Sequence, residues 1–237
     1  PLDIITAVAD HLSPEPWPIP ARPGPDPRSI DGAAALLDGA RQPLIVIGGG
    51  AVAAGQELQG LAEKLDAPVV NTVNAKGVLP GSHALAVGGS PSLATVRAAM
   101  AEADVILAVG TEFGETDYDM LFIGELALPG SLIRVDIDAQ QLARNVRPEI
   151  AIAGDAALVL AALTQAVSAR APGAGAARVQ SLRQQRLGEE HYHPEFGALF
   201  AAIQTALPGL ILVGDSTLPT YYAVWQYETQ QPRRYFH

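Results

Sequence analysis

The 237 residues include 25 acidic and 15 basic side chains, a formal net charge of −10 that disfavours nucleic acid and anionic membranes as partners, because both bind basic surfaces. Cysteine is absent, which excludes disulfides, thiol catalysis and zinc–thiolate sites and suits a cytoplasmic protein, and no apolar run reaches the roughly 18 residues that cross a bilayer. Hydrophobic residues make up 49% of the chain but aromatic residues only 5%, which favours aliphatic layers of helix on sheet.

Residues 1–30 are interpreted as an extended linker that arrives from a domain upstream. Residues 12–28 are rich in proline, which breaks helices and rarely pairs inside a sheet. The chain starts at Pro1 without a methionine, so we expect it to be part of a longer protein.

Residues 31–168 alternate between short apolar runs and helical patterns, and the apolar runs are typical of parallel strands buried on both faces. Strands are predicted at residues 43–47, 68–70, 104–109, 131–136 and 150–153. Helices are predicted at residues 30–40, in a stretch that ends near 65, and at residues 91–101 and 155–167. This rhythm predicts a doubly wound parallel α/β sheet.

Residues 169–190 are predicted to form a linker and a charged connecting helix. Another helix is predicted at residues 195–206 and one more buried strand at residues 210–213. Only a turn and a tail follow, so residues 191–237 are interpreted as the incomplete start of a second α/β domain. Its single strand is expected to pack poorly, because its edges have no local partner.

A glycine-rich turn follows the first predicted strand. Gly48, Gly49 and Gly50 open a G-x-G-x-x-A pattern, in which glycines let backbone amides approach a phosphate. A dinucleotide fold also wants an acidic side chain about 20 residues on, but the second strand ends in Asn71 and Thr72. A tight turn with close helix–sheet packing is therefore favoured, and a nucleotide site for ADP or FAD is the alternative.

Three aspartates follow the last two strands of this block. Asp136 ends the fourth strand, where it either orders the next loop or accepts a ribose hydroxyl at the sheet's crevice. Asp138 and Asp155 are interpreted as helix N-caps, since each precedes a helical pattern.

Other polar groups are interpreted as solvated. Four carboxylates follow the third strand and could do acid–base work, although a solvated loop is favoured: Glu112, Glu115, Asp117 and Asp119. His191 and His193 have few candidate ligands beside them, so no metal site is predicted there.

A second polar turn follows the strand at residues 210–213, and it consists of Gly214, Asp215, Ser216 and Thr217. Parallel sheets bind ligands at the carboxyl ends of their strands. Flexible amides and two hydroxyls would suit a diphosphate there. A plain strand-to-helix turn is the alternative that spacing leaves open.

Together these segments resemble the thiamine-diphosphate enzyme family of acetolactate synthases, benzoylformate decarboxylases and oxalyl-CoA decarboxylases. Pro1-Leu2-Asp3 resembles the exit from the family's pyrimidine-binding domain. The motifs of the family's central domain follow in order, at residues 43–50, 67–80, 104–111, 135–138 and 154–156. No single motif identifies the family. The resemblance depends on finding all of them in the right order and at the right spacing.

The resemblance implies a thiamine-diphosphate- and Mg²⁺-dependent enzyme that acts on a 2-oxo acid, as a decarboxylase or a carboligase, and works as a homodimer or homotetramer. In that family a glutamate of the upstream domain activates the cofactor, and a G-D-G…N motif of the diphosphate domain holds Mg²⁺. The asparagines here are Asn71, Asn74 and Asn145, and none follows a G-D pair in the second unit. The chain itself is therefore expected to contain no catalytic or metal-binding residues and to be inactive alone. The alternative is a non-catalytic domain that binds a nucleotide or serves as a structural spacer between two catalytic domains.

Two departures from the family pattern bear on the cofactor and on the type of enzyme within the family. Residues 111–115 read T-E-F-G-E where FAD-containing synthases have an arginine-bearing a-R-F-d-d-R segment, and glutamate cannot replace arginine's donors, which argues against FAD. Residues 214–219 differ from the d-v-G-q-H of those synthases and are more similar to the decarboxylases, including the 5-guanidino-2-oxopentanoate type.

Overall fold

The computed structural model describes residues 2–8, 16–189 and 192–237. Part of the expected linker, residues 9–15, therefore lies outside the described residues, and so does His191. Residues 16–26 adopt no helix or strand, as expected for the linker, whereas residues 2–5 form a short helix, and another helix starts at Pro27 rather than near residue 30. Asp26 explains the earlier start, because its side chain caps this helix by accepting a hydrogen bond from the Arg28 amide at 2.9 Å.

Five parallel strands form the central sheet in the order β2-β1-β3-β4-β5. Their bounds are β1 (Pro43–Ile47), β2 (Val69–Asn71), β3 (Val105–Val109), β4 (Ser131–Asp136) and β5 (Ile150–Ala153). Every residue of β1, β2 and β3 is buried, which explains why these strands appear in the sequence as continuous apolar runs. The predicted parallel α/β sheet is confirmed.

Helices cover both faces of this sheet, and successive strand residues point into two separate cores. The helices of this part of the chain are α1 (Leu2–Ile5), α2 (Pro27–Gly39), α3 (Gly55–Leu65), α4 (Ala94–Glu102), α5 (Glu115–Tyr118), α6 (Met120–Ile123), α7 (Ala156–Ala166) and α8 (Ala174–Arg186). Ile45 and Ile47 pack on the face covered by α2, α3 and α7, whereas Leu44 and Val46 pack on the face covered by α4 and α8. None of the helices in the described part of the chain is both long and apolar enough to span a membrane.

Helix α8 packs on the sheet, although the sequence had placed it in a connecting segment. Val179 and Leu182 are buried in the same core as α4. Arg183 donates hydrogen bonds to the carbonyl oxygens of Gly81 and Ala86 at 2.8 and 2.6 Å. The helix is mostly polar, so two buried residues three positions apart gave too weak a pattern to predict its docking.

The second unit consists of α9 (Pro194–Ala206), β6 (Leu212–Val213), α10 (Leu218–Gln226) and β7 (Tyr235–Phe236). The prediction that its strand has no local partner is wrong, because β6 pairs in parallel with β7 and α10 forms the crossover between them. Strand β7 could not be predicted, since two residues are too short for a detectable pattern.

Helix α7 confirms one of the two predicted caps. Asp155 Oδ1 accepts hydrogen bonds from the amides of Ala157 at 3.1 Å and Leu158 at 3.2 Å. Asp138 does not cap a helix: its side chain accepts the amide of Gln140 in a turn, and the single 3₁₀ turn that follows has Gln140 as its N-cap.

We expect Asp155→Ala to lower the free energy of unfolding by about 1 kcal/mol, because two amides of the first turn of α7 lose their acceptor. Urea denaturation monitored by circular dichroism measures this change. Asp155→Asn keeps an acceptor in the same place and should retain most of the stability. Equal losses in the two variants would show that the charge of Asp155, and not its cap, stabilises the fold.

Candidate functional site

The first candidate site lies where the strand order of the central sheet reverses. The chain passes from β1 outwards to β2 and then returns to β3 on the other side of β1. Ligands of such sheets bind in the crevice outside the carboxyl ends of the two strands at this point. Gly48, Gly49 and Gly50 follow β1 here, and Gly110 and Thr111 follow β3.

Backbone fills this crevice closely. A Cβ atom on Gly48 would lie 2.2 Å from the carbonyl oxygen of Gly110, and one on Gly50 would lie 2.8 Å from the Gly110 Cα. The amides of Gly48 and Gly50 donate to the carbonyl oxygens of Val109 and Gly110 at 2.9 and 3.0 Å. Two of the amides that a phosphate would need are therefore used inside the chain, and the geometry supports the tight-turn interpretation over a nucleotide site.

Asp136 ends β4 at the same edge of the sheet. Its Oδ1 accepts a hydrogen bond from the amide of Asp138 at 3.0 Å. The side chain therefore orders the loop after β4, which was one of its two predicted roles.

The acidic segment after β3 is solvated only in part. Glu112 and Glu115 are exposed, as predicted. Asp117 is not: it is half-buried, and its Oδ1 accepts the amide of Val73 at 2.9 Å, at the carboxyl end of β2. Burial raises the pKa of Asp117, and the hydrogen bond from Val73 opposes that shift. Sequence alone did not distinguish this carboxylate, because the contact with Val73 depends on strand order.

A buried arginine that the sequence did not single out holds the same segment. Arg134 in β4 is 1% exposed, and its guanidinium donates to the carbonyl oxygens of Thr111 and Val146 at 3.1 and 3.0 Å. It also lies 5.0 Å from the centroid of the Phe113 ring. Phe113 is fully buried, so this residue of the segment packs against Arg134, whereas Glu112 and Glu115 stay exposed.

The second candidate site is the turn between β6 and α10, with Gly214, Asp215, Ser216 and Thr217. The amide of Gly214 donates to the carbonyl oxygen of Phe236 at 2.9 Å, and a Cβ atom at this position would lie 2.4 Å from Thr220 Cγ2. Asp215, Ser216 and Thr217 are exposed. The structure thus brings these four residues together at the start of a helix, on a different sheet from residues 48–50 and Asp136.

This turn suits an anionic group in most respects. It offers the hydroxyls of Ser216 and Thr217 at the N-terminus of a nine-residue helix, where the helix dipole favours negative charge. Asp215 opposes an anion, because its carboxylate carries like charge and already accepts the Ser216 amide at 2.7 Å. A diphosphate would therefore bind best together with a cation that offsets this charge.

Buried charges connect the second unit to the central sheet. Lys76 Nζ donates to the carbonyl oxygen of Tyr227 at 2.6 Å and lies 3.6 Å from Glu228 Oε1. Burial lowers the pKa of Lys76, and the charge of Glu228 opposes that shift. Gly77 beside it has φ 78°, and a Cβ there would meet the Gln231 carbonyl oxygen at 2.2 Å. The Lys76-Gly77 pair, one of the family-like motifs, thus marks a contact between units.

Comparison with known proteins gives these features a context. Residues 30–163 match the family model described as the thiamine pyrophosphate enzyme central domain. The whole chain aligns at 36% identity over 246 positions with a protein of Pseudomonas aeruginosa named probable 2-ketoarginine decarboxylase AruI, covering 43% of that protein.

Two further relatives are named as acetolactate synthases. The probable acetolactate synthase large subunit of Methanocaldococcus jannaschii is 36% identical over 168 positions, which cover 65% of this chain and 28% of the relative. The acetolactate synthase isozyme 1 large subunit of Escherichia coli K12 is 32% identical over 178 positions, which cover 72% and 30%. The chain spans less than half the length of each of these relatives.

Proposed function

This chain belongs to the thiamine pyrophosphate enzyme family, and from that premise we propose that it is part of an enzyme that decarboxylates a 2-oxo acid with thiamine diphosphate and Mg²⁺. The observation that carries the proposal is the alignment of the entire chain, residues 214–217 included, with a protein named as a 2-ketoarginine decarboxylase. We propose accordingly that the substrate is a 2-oxo acid with a cationic guanidinium tail. Carboligation is the second candidate, supported by the relatives named as acetolactate synthases.

Residues 214–217 hold the diphosphate in this proposal. When bound, thiamine diphosphate supplies the nucleophilic carbon and the electron sink that decarboxylation requires. Ser216 and Thr217 donate hydroxyl hydrogen bonds to the diphosphate oxygens, and the first turn of α10 adds its dipole. The bond from the Gly214 amide to Phe236 keeps the turn close to β7. The central domain positions this unit through contacts such as the hydrogen bond from Lys76 Nζ to the Tyr227 carbonyl oxygen.

Other parts of the proposed site lie outside this chain. We assign the glutamate that activates the cofactor and the ligands of Mg²⁺ to further segments of the protein, and we place the assembly as a homodimer or homotetramer in the cytoplasm. Alone, the chain is proposed to have no decarboxylase activity. The complete protein, supplied with thiamine diphosphate and Mg²⁺, should release CO₂ from 5-guanidino-2-oxopentanoate. Acetolactate formed from pyruvate, with no CO₂ released from the guanidino acid, would favour the carboligase instead.

We expect Ser216→Ala and Thr217→Ala each to weaken thiamine diphosphate binding by the complete protein about ten- to a hundredfold, because each removes one hydrogen bond to a charged group. Calorimetric titration of the cofactor-free protein at saturating Mg²⁺ measures the change in Kd. Thr205→Ala is the matched control, since the Thr205 hydroxyl is exposed in the same unit and donates to its own helix at Ala201. Unchanged affinity in both variants at the turn would remove residues 214–217 from the cofactor site.

A further inference from the structure

Four residues outside the second unit form hydrogen bonds with the C-terminal end of α10 and the residues that follow it. We name this contact the α10 anchor, and it joins Trp225, Gln226, Tyr227 and Glu228 to Lys76, Gly89, Ser90 and Arg186.

Each of the four consecutive residues 225–228 accepts its own hydrogen bond in the α10 anchor. The Ser90 amide donates to the Trp225 carbonyl oxygen at 3.0 Å, and the Gly89 amide donates to Glu228 Oε1 at 2.8 Å. Arg186 donates to Gln226 Oε1 at 3.2 Å from Nε and at 2.8 Å from Nη2. Lys76 donates to the carbonyl oxygen of Tyr227, and its side chain is 2% exposed. The end of the helix is thereby fixed against the segment that follows β2 and against the last residue of α8.

The buried lysine has an electrostatic role in this arrangement. Burying an ammonium group is unfavourable, and an apolar side chain of similar length would fill the same space at lower cost. Tyr227 is the C-cap of α10, so the ammonium of Lys76 faces the negative end of the helix dipole. The positive end of the same dipole starts beside Thr217, the N-cap.

We propose that Lys76 is a positioning residue for the cofactor, which fixes the C-terminal end of α10 and thereby holds residues 214–217 where they meet the diphosphate. Helix α10 has nine residues, and at 1.5 Å per residue it is about 14 Å long, so a tilt at the anchored end displaces the turn. The link to diphosphate binding rests on the proposed function, whereas the α10 anchor itself rests on geometry alone.

Lys76→Met in the complete protein tests this proposal, because methionine keeps the unbranched length and removes the charge and the donor. We expect the Kd for thiamine diphosphate at saturating Mg²⁺ to rise about tenfold, as for the loss of a charged hydrogen bond. At saturating cofactor, kcat and the KM for the 2-oxo acid should stay at their wild-type values. Lys64→Met is the matched control, since Lys64 Nζ also donates to a carbonyl oxygen at 2.6 Å, that of Thr164 in α7.

A purely structural role would give a different result. Lys76→Met would then lower the melting temperature and leave the cofactor Kd unchanged at temperatures where the variant is folded, and this result would overturn the proposal. Hydrogen exchange supplies a readout that needs no cofactor: residues 214–226 should exchange faster in Lys76→Met than in Lys64→Met, and equal rates would also overturn it. If the wild-type protein binds no thiamine diphosphate, the proposed function fails as well; normal binding by wild type and variant alike removes only the positioning role.

A second variant covers the case in which Lys76→Met does not fold. Gln226→Met removes the acceptor of the hydrogen bonds from Arg186. It also removes the buried amide nitrogen of Gln226, which has no hydrogen-bond partner among the described residues. Arg186 loses both hydrogen bonds to Gln226 Oε1 and keeps the one to the Val87 carbonyl oxygen at 2.7 Å, so the melting temperature of this variant is measured beside its cofactor Kd. The same rise in cofactor Kd is expected, and an unchanged Kd together with unchanged exchange at residues 214–217 would overturn the proposal.

Discussion

Replacement of Arg134 by leucine is expected to lower the free energy of unfolding by about 3–5 kcal/mol, because several buried carbonyl oxygens lose their donor at a cost of about 1–3 kcal/mol each. The side chain is 1% exposed, and its guanidinium satisfies carbonyl oxygens on both sides of β4, at Thr111 after β3 and at Val146 after β4. Leucine would fill part of the volume and leave these buried acceptors without donors.

Urea denaturation of the purified chain measures the effect of Arg134→Leu, with Arg147→Leu as the control. Arg147 lies on the same stretch of chain and is exposed, so its replacement should change stability by no more than about 0.5 kcal/mol. Arg134→Lys should fall between the two, because one ammonium group cannot reach acceptors on both sides as the planar guanidinium does. A loss below about 1 kcal/mol in Arg134→Leu would mean that water replaces the arginine.

Gly48→Ala is expected to destabilise the fold by about 3 kcal/mol, at the upper end of the effect of overpacking. The new Cβ would lie 2.2 Å from the Gly110 carbonyl oxygen and 2.7 Å from the Thr111 Cα. Both contacts are with backbone, so no side-chain rotation relieves them. Because β1 and β3 are paired along their whole length, the two loops cannot separate without a shift of the strands.

Gly60→Ala is the control for this measurement and should raise the free energy of unfolding instead of lowering it. Gly60 lies within α3, where a Cβ would meet no heavy atom within 4 Å. Alanine there should stabilise the chain by about 0.5–1 kcal/mol, since glycine loses more backbone entropy on folding. If Gly48→Ala lowered the free energy of unfolding by no more than about 1 kcal/mol, the crevice would be open enough for a ligand.

The central sheet could be predicted from the sequence because its strands are buried on both faces and its helices are amphipathic. Strands β1, β4 and β5 have the bounds that were predicted, and the family suggested by the order of the motifs is confirmed by the match over residues 30–163. The docking of α8 and the pairing of β7 were missed for the opposite reason. Both depend on a few residues whose partners lie far away in the sequence.

The candidate sites show the same division between local patterns, which could be predicted, and contacts between distant residues, which could not. The turn of residues 214–217 was predicted, because glycine and hydroxyl residues after an apolar run form a local pattern. Lys76 and Arg134 were not singled out, since a buried charge is recognised only through the carbonyl oxygens it meets, and these are supplied by residues 151 and 23 positions away. The role of the four turn residues toward a diphosphate stays a prediction.

The docking of α8 determines where the central domain can be recombined with that of a relative. A chimaera joined at residue 168, where the βα pattern of the sheet ends, would separate α4 from the Val179 and Leu182 side chains that cover its core. It would also leave the carbonyl oxygens of Gly81 and Ala86 without the Arg183 guanidinium. A junction placed after Arg186 transfers α8 together with the sheet, so the packed unit ends one helix later than its strand pattern suggests.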